Sequence, residues 1–162
     1  MNLQRPPTDA ECASYYNGLP SRPRLVARSS LTPFPFERFT RSAIDDGLSN
    51  RKTLAVVGDH PIVSKWNNEP SLLRGQIMDI LTRHNVDWHA IDIIRIGYED
   101  EDMPVIVWIS VSAGTTWEMG NQVVHDCRDA LVEHGLDDVH CEIKEARLVN
   151  VVRWGSAAHM TP

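Results

Sequence analysis

Pro104-Val105-Ile106-Val107-Trp108-Ile109-Ser110-Val111 is the stretch whose reading decides the fold. Side chains alternate between the two faces of a strand, and this one is apolar at both odd and even positions, so both of its faces must be covered. That is the pattern of a central strand. Before it, the β-branched run Ile91 to Ile96 ends at Gly97, and the acidic turn Glu99-Asp100-Glu101-Asp102 joins the two segments as an antiparallel hairpin. After it, Ala113-Gly114-Thr115-Thr116 leads into a helix with Val123, Cys127, Ala130, Leu131 and His134 on one stripe, stopped by Gly135. Thr115 with Glu118 three residues on fits a capping box at its start.

Farther out the signals continue. Leu73, Ile77, Ile80, Leu81 and His84 recur at helical spacing after Asn68-Glu69-Pro70, and Leu54 to Gly58 is a short apolar run closed by glycine, a strand or an ordered loop. Val139, Cys141 and Ile143 alternate with His140, Glu142 and Lys144, the period-two pattern of a half-exposed strand. The order strand, helix, strand, strand, helix, strand predicts an α+β domain: a small mixed or antiparallel sheet with two main helices in a ferredoxin-like split βαβ arrangement. Two helices cover one face of such a sheet. The other face of Val105 to Val111 needs a second cover, from the N-terminal part of the chain or from a partner.

The predicted domain spans residues 53–148, between an N-terminal arm and linker, residues 1–52, and a C-terminal tail, residues 149–162. Six of the ten prolines precede residue 36, which limits regular structure in the arm, although Asp9 to Tyr16 could form a short helix and Arg24 to Arg28 a short strand. Leu25, Val26, Phe34, Phe36 and Phe39 are its anchors. Arg5, Arg22, Arg24, Arg28, Arg38 and Arg41 face only Asp9, Glu11 and Glu37, so the first 41 residues sum to +3 and the rest to -9. Docking of this basic arm on the domain's own acidic surface is the expected arrangement.

Composition narrows the function classes. No apolar run approaches the roughly 20 residues of a membrane helix, and Met1 to Pro7 lacks the apolar core of a secretory signal. A cytoplasmic or nuclear protein is expected, not a secreted one. Cys12, Cys127 and Cys141 are an odd set without a Cys-x-x-Cys pair, which reads as reduced thiols and no disulfide. The net charge of -6 makes nucleic acid an unlikely partner.

Several constellations could carry chemistry. Gly114, Thr115 and Thr116 sit between a buried strand and a helix, where free amides could hold an anion; without a Gly-Lys-Ser/Thr ending, capping explains them better. His84, Asp87 and His89, and again His134, Asp137, Asp138 and His140, cluster at helix ends, but neither set has the spacing of a metal motif. Cys127 and His125 point to different helix faces, and Cys141 and His140 to opposite strand faces, so neither pair is a nucleophile with its base. Gly58-Asp59-His60-Pro61 places a carboxylate beside an imidazole, which a turn explains without acid/base work. Trp66, Trp88, Trp108, Trp117 and Trp154 are scattered, as core or rim residues would be. No catalytic, cofactor or metal residues are assigned.

Arg24-Leu25-Val26-Ala27-Arg28, Gly58-Asp59-His60-Pro61 with Trp66, Ile93-Ile94-Arg95-Ile96-Gly97, the strand from Pro104 to Val111, and Asp138 to Glu145 together resemble a group of uncharacterised proteins of filamentous fungi. The likeness spans about residues 22 to 148. In that group the segment is similar to a module that often precedes a trypsin-like, frequently degenerate domain. The resemblance implies a fungal, non-secreted protein and supplies no site residues. The expected function is a non-enzymatic module that binds another protein or a second copy of itself. The alternatives are a small enzyme or anion-binding protein using Gly114 to Thr116 with Asp59 and His60, and a truncated regulatory part of a trypsin-like protein.

Overall fold

The computed structural model describes residues 4–145. The predicted tail, residues 149–162 with Trp154, lies outside the described residues. In chain order the elements are α1 (Asp9–Ser14), β1 (Arg24–Arg28), α2 (Phe36–Arg41), β2 (Thr53–Ala55), α3 (Pro61–Asn67), α4 (Leu72–Arg83), β3 (Trp88–Gly97), β4 (Val105–Val111), α5 (Trp117–Glu133) and β5 (His140–Glu145). The five strands form one mixed sheet in the order β1-β5-β4-β3-β2, an α+β architecture. All seven residues of β4 are buried, at the centre of the sheet, and β3 and β4 form the expected antiparallel hairpin.

The strand order does not show the split βαβ arrangement. In that arrangement another strand lies between the two joined by the crossover helix. Here β4 and β5 pair directly and in parallel, with Ile106 opposite His140 and Val111 opposite Glu145. The 17-residue helix α5 makes the return, a single βαβ unit. Outside it β3 and β2 add antiparallel on one side and β1 antiparallel on the other.

The two faces of the sheet have separate cores. On the first, Val105, Val107, Ile109 and Val111 pack with Leu73, Ile77 and Leu81 of α4 and Val123, Cys127 and Leu131 of α5. On the second, Ile106 and Trp108 of β4 and Ile96 of β3 pack with Tyr15, Tyr16, Leu19 and Leu25, all from the N-terminal arm. Burying each of these large side chains stabilises the fold by about 1.5–3 kcal/mol. The second cover that β4 requires is therefore the chain's own N-terminal segment.

That segment departs from an extended arm. It supplies an edge strand, and α1 lies over the sheet with Thr8 accepting from Glu11 N–H as its N-cap. The boundary at residue 52 consequently does not follow a break in packing. Of the expected anchors, Leu25 and Val26 are buried but Phe36 is exposed. Self-docking rests more on apolar packing than on charge, since Arg24 and Arg5 pair with Asp9 and Glu11 within the arm. Arg38 does cross to the acidic turn. Its guanidinium bonds Asp100 and Glu101 of the β3–β4 loop and stands 3.8 Å from the Tyr98 ring centroid.

Candidate site between the arm and the sheet

Lys52 ends the loop that returns from α2 to the sheet. It is 6% exposed. Three local features place it. Its backbone N–H donates to Asn17 O at 2.7 Å. The Asn17 side chain donates to Asn50 Oδ1 at 2.8 Å. Gly18, at φ +96°, lets the loop press close: a Cβ there would lie 2.8 Å from Lys52 O, a contact and a conformation that only glycine accepts without strain. The ammonium then sits 3.2 Å from the centroid of the Tyr15 ring, on its π face.

Glu142 faces it from β5. By register with Trp108, this carboxylate projects from the second face of the sheet, where the arm buries it to 5% exposure. It accepts hydrogen bonds from Tyr15 Oη at 2.9 Å and Tyr16 Oη at 2.7 Å. Two hydroxyl donors satisfy a buried carboxylate well. Burial, and then the charge of Glu142, push both phenols well above their ordinary range, so they remain donors.

Lys52 lacks such satisfaction. Among the described residues no carboxylate lies within salt-bridge distance of its ammonium, and the amine donates no hydrogen bond. Burial, partly opposed by the attraction of Glu142, lowers its pKa from 10.5 to about 8. The side chain borders a chamber of about 430 Å³ between arm and sheet, also lined by Arg28, His140, Tyr98 and Glu142. Ile96, Ile106 and Pro104 supply an apolar floor.

His140 adds a donor. Ser29 Oγ accepts from Cys141 N–H at 2.9 Å and lies 2.9 Å from His140 Nδ1. Both groups are satisfied when the Ser29 hydroxyl donates to an unprotonated Nδ1 and the ring hydrogen is on Nε2. Burial lowers the pKa of His140, which favours the neutral ring. The chamber thus gathers an ammonium, an imidazole and two guanidiniums, of which Arg38 is already paired with Asp100 and Glu101, while its one deep carboxylate, Glu142, is engaged by the two tyrosines.

The residues singled out by sequence lie elsewhere. Thr116, not Thr115, caps α5 by accepting from Met119 N–H, and Thr115 Oγ1 instead donates to Ser112 O at 3.0 Å. The cap is displaced by one residue, and with Met119 at the third helical position no reciprocal capping box forms. His60 caps α3: Nδ1 accepts from Ile62 N–H, which leaves Nε2–H to donate to Asp138 at 2.7 Å. The Gly58-Asp59-His60-Pro61 turn is a helix start, with Pro61 in the first turn. His60 and Asp138 stand at the entry end of β5, whereas Gly114 to Thr116 follow the exit end of the parallel β4. These segments do not form one site.

The helix-end clusters also disperse. His84 pairs with Asp126 and His134 with Gln76, each through Nε2. Ser112 Oγ donates to Asp87 at 2.6 Å and lies 2.7 Å from His89 Nε2, so the serine sits between acid and imidazole. A nucleophile needs the imidazole between itself and the acid. Among the described residues no group of three or more His, Cys, Asp or Glu could hold a metal ion, and no disulfide forms. Cys12, Cys127 and Cys141 are buried, and desolvation raises the Cys141 thiol well above its ordinary range.

Sequence reading missed Lys52, assigned to a linker, and Glu142, assigned to a solvent face. One signal pointed to Glu142. If both faces of β4 are covered, the even positions of its neighbour β5 are covered too, and a carboxylate there needs partners. Nothing local distinguishes Lys52, whose burial comes from contacts with Asn17 and Gly18.

Comparison with family models, curated proteins and solved structures finds no match for this chain.

Proposed function

We propose that the protein is a non-enzymatic binding module whose ligand is a small monocarboxylic acid held between the N-terminal arm and the sheet. The observation that carries this reading is Lys52, a buried lysine with no carboxylate within salt-bridge distance among the described residues, which borders a chamber of about 430 Å³. Buried charges are ordinarily paired, and a ligand carboxylate beside Lys52, Arg28 and His140 would complete the pairing. Glu101 and Asp102 on the same chamber disfavour polyanions such as phosphate esters. The apolar floor suits a short hydrocarbon body.

Thermal unfolding with hexanoate, phenylacetate or inorganic phosphate tests this. The two carboxylates should raise Tm at pH 7, more than phosphate does, and the gain should shrink above pH 8 as Lys52 loses its proton. Lys52→Met should remove it. Absence of a shift with both carboxylates would sink the reading.

A second reading keeps the chain as a module that binds a second copy of itself. Its basis is the exposed Leu31, Phe36 and Leu48 on the outer side of the N-terminal segment. Light scattering that shows only monomer at high concentration would exclude it.

A further inference from the structure

We propose that Lys52 is a covalent capture residue, forming a reversible imine with a small 2-oxo acid in the arm–sheet chamber. This rests on the carboxylate-binding reading above and specifies its ligand class. Three observations lead to it. The amine stands over the Tyr15 ring at 3.2 Å with no carboxylate within salt-bridge distance among the described residues, so no ion pair holds it protonated. It opens into the same chamber as Arg28 and His140, two groups able to hold the carboxylate of a 2-oxo acid while its carbonyl carbon meets Nζ. Its lowered pKa leaves a substantial share of neutral amine near neutral pH, the nucleophilic form that an exposed lysine scarcely populates.

The reaction balances without an oxidant or reductant. The Nζ lone pair attacks the carbonyl carbon to form a carbinolamine. The C–O bond then breaks, the oxygen leaves as water, and a protonated imine remains, with one proton taken up from solvent. His140 lines the same chamber, and its imidazole N–H is the donor we assign to the departing oxygen. Hydrolysis reverses the sequence, so the protein holds and releases the acid unchanged.

The chain has three lysines, Lys52, Lys65 and Lys144, which makes the test simple. The intact protein is treated with 2-oxohexanoate and cyanoborohydride, and the site is located by peptide mass. Reduction traps the imine as a secondary amine, a mass gain of the acid less one oxygen atom. Lys52 should label on the order of a hundredfold faster than an ordinary lysine, the ratio of neutral amine that lowering its pKa from 10.5 to about 8 provides, and the exposed Lys65 serves as the internal comparison. Hexanoate should suppress the labelling, and Lys52→Arg should abolish it. Hexanoate that raises Tm without any preference for labelling Lys52 would overturn the covalent step and leave the carboxylate site standing. No effect of hexanoate and no labelling of Lys52 would remove both. Because the adduct is located on the wild-type chain, the result stands even if the variant folds poorly.

Discussion

A lysine packed among the rings of Tyr15, Tyr16 and Tyr98 without an ion-pair partner among the described residues favours loss of its proton, and in Lys52 burial, helped by the nearby Arg28, outweighs the attraction of Glu142. The same imbalance bears on stability. The folded-state pKa near 8 lies below the ordinary 10.5, so between these values the unfolded chain binds the proton that the folded chain has released. Stability from this residue therefore rises with pH across that window. At pH 7 the lowered pKa leaves the fold about 3 kcal/mol less stable than it is well above pH 10.5, where the amine is neutral in both states. Tyr15, Tyr16 and Cys141 act in the opposite direction at high pH, because burial holds their acids protonated in the fold. A difference between two proteins that share those groups isolates Lys52. Lys52→Met should be more stable than wild type at pH 7, and the gap should narrow by about 3 kcal/mol as pH rises from 7 to above 10. Urea unfolding at several pH values measures it, and a gap independent of pH would show that the ammonium is not desolvated. A destabilising lysine is readily understood where it serves a ligand.

At the scale of elements, helix α5 is held to the sheet by a contact that the sequence does not advertise. Gly120 lies inside α5, and a Cβ there would come within 3.0 Å of Val26 Cγ1 and 3.1 Å of Ala27 Cβ on β1. The helix thereby packs against the edge strand of the N-terminal segment as well as β4 and β5. Gly120→Val would drive two more carbons into that contact and should cost about 1–3 kcal/mol, the usual range for overpacking. Thermal unfolding would detect it; a variant as stable as wild type would mean that α5 stands off from β1. The elements that sequence did reveal are those with strong periodicity: β4, apolar on both faces, and the stripes of α4 and α5. The strand order was not legible. Whether β5 pairs directly with β4 or leaves room for another strand depends on side chains from distant segments, and the arm's β1, which pairs with β5, was assigned outside the domain.

For the molecule as a whole, the N-terminal 52 residues decide whether the sheet has one covered face or two. Composition made them look peripheral, rich in proline and arginine, but Tyr16, Leu19 and Leu25 form a second core with Ile96, Ile106 and Trp108. The chamber exists only because that cover is in place: Lys52, Arg28 and Tyr15 come from the cover, and Glu142, His140 and Ile106 from the sheet. The site was therefore illegible locally, since each half is unremarkable until the two are packed together. The same geometry governs the response to truncation. A chain lacking residues 1–52 would lose the strand that pairs with β5 and would expose Ile96, Ile106 and Trp108 along with a Glu142 deprived of both tyrosine donors. Each lost large apolar contact forfeits about 1.5–3 kcal/mol, and several together approach the whole stability of a domain this size. Residues 53–148 expressed alone should aggregate or remain loosely packed, with strong binding of a hydrophobic dye and poorly dispersed amide spectra. A cooperatively unfolding 53–148 fragment with native-like spectra would show instead that the N-terminal segment is an accessory, and the chamber it encloses would then be one that opens and closes around a stable sheet.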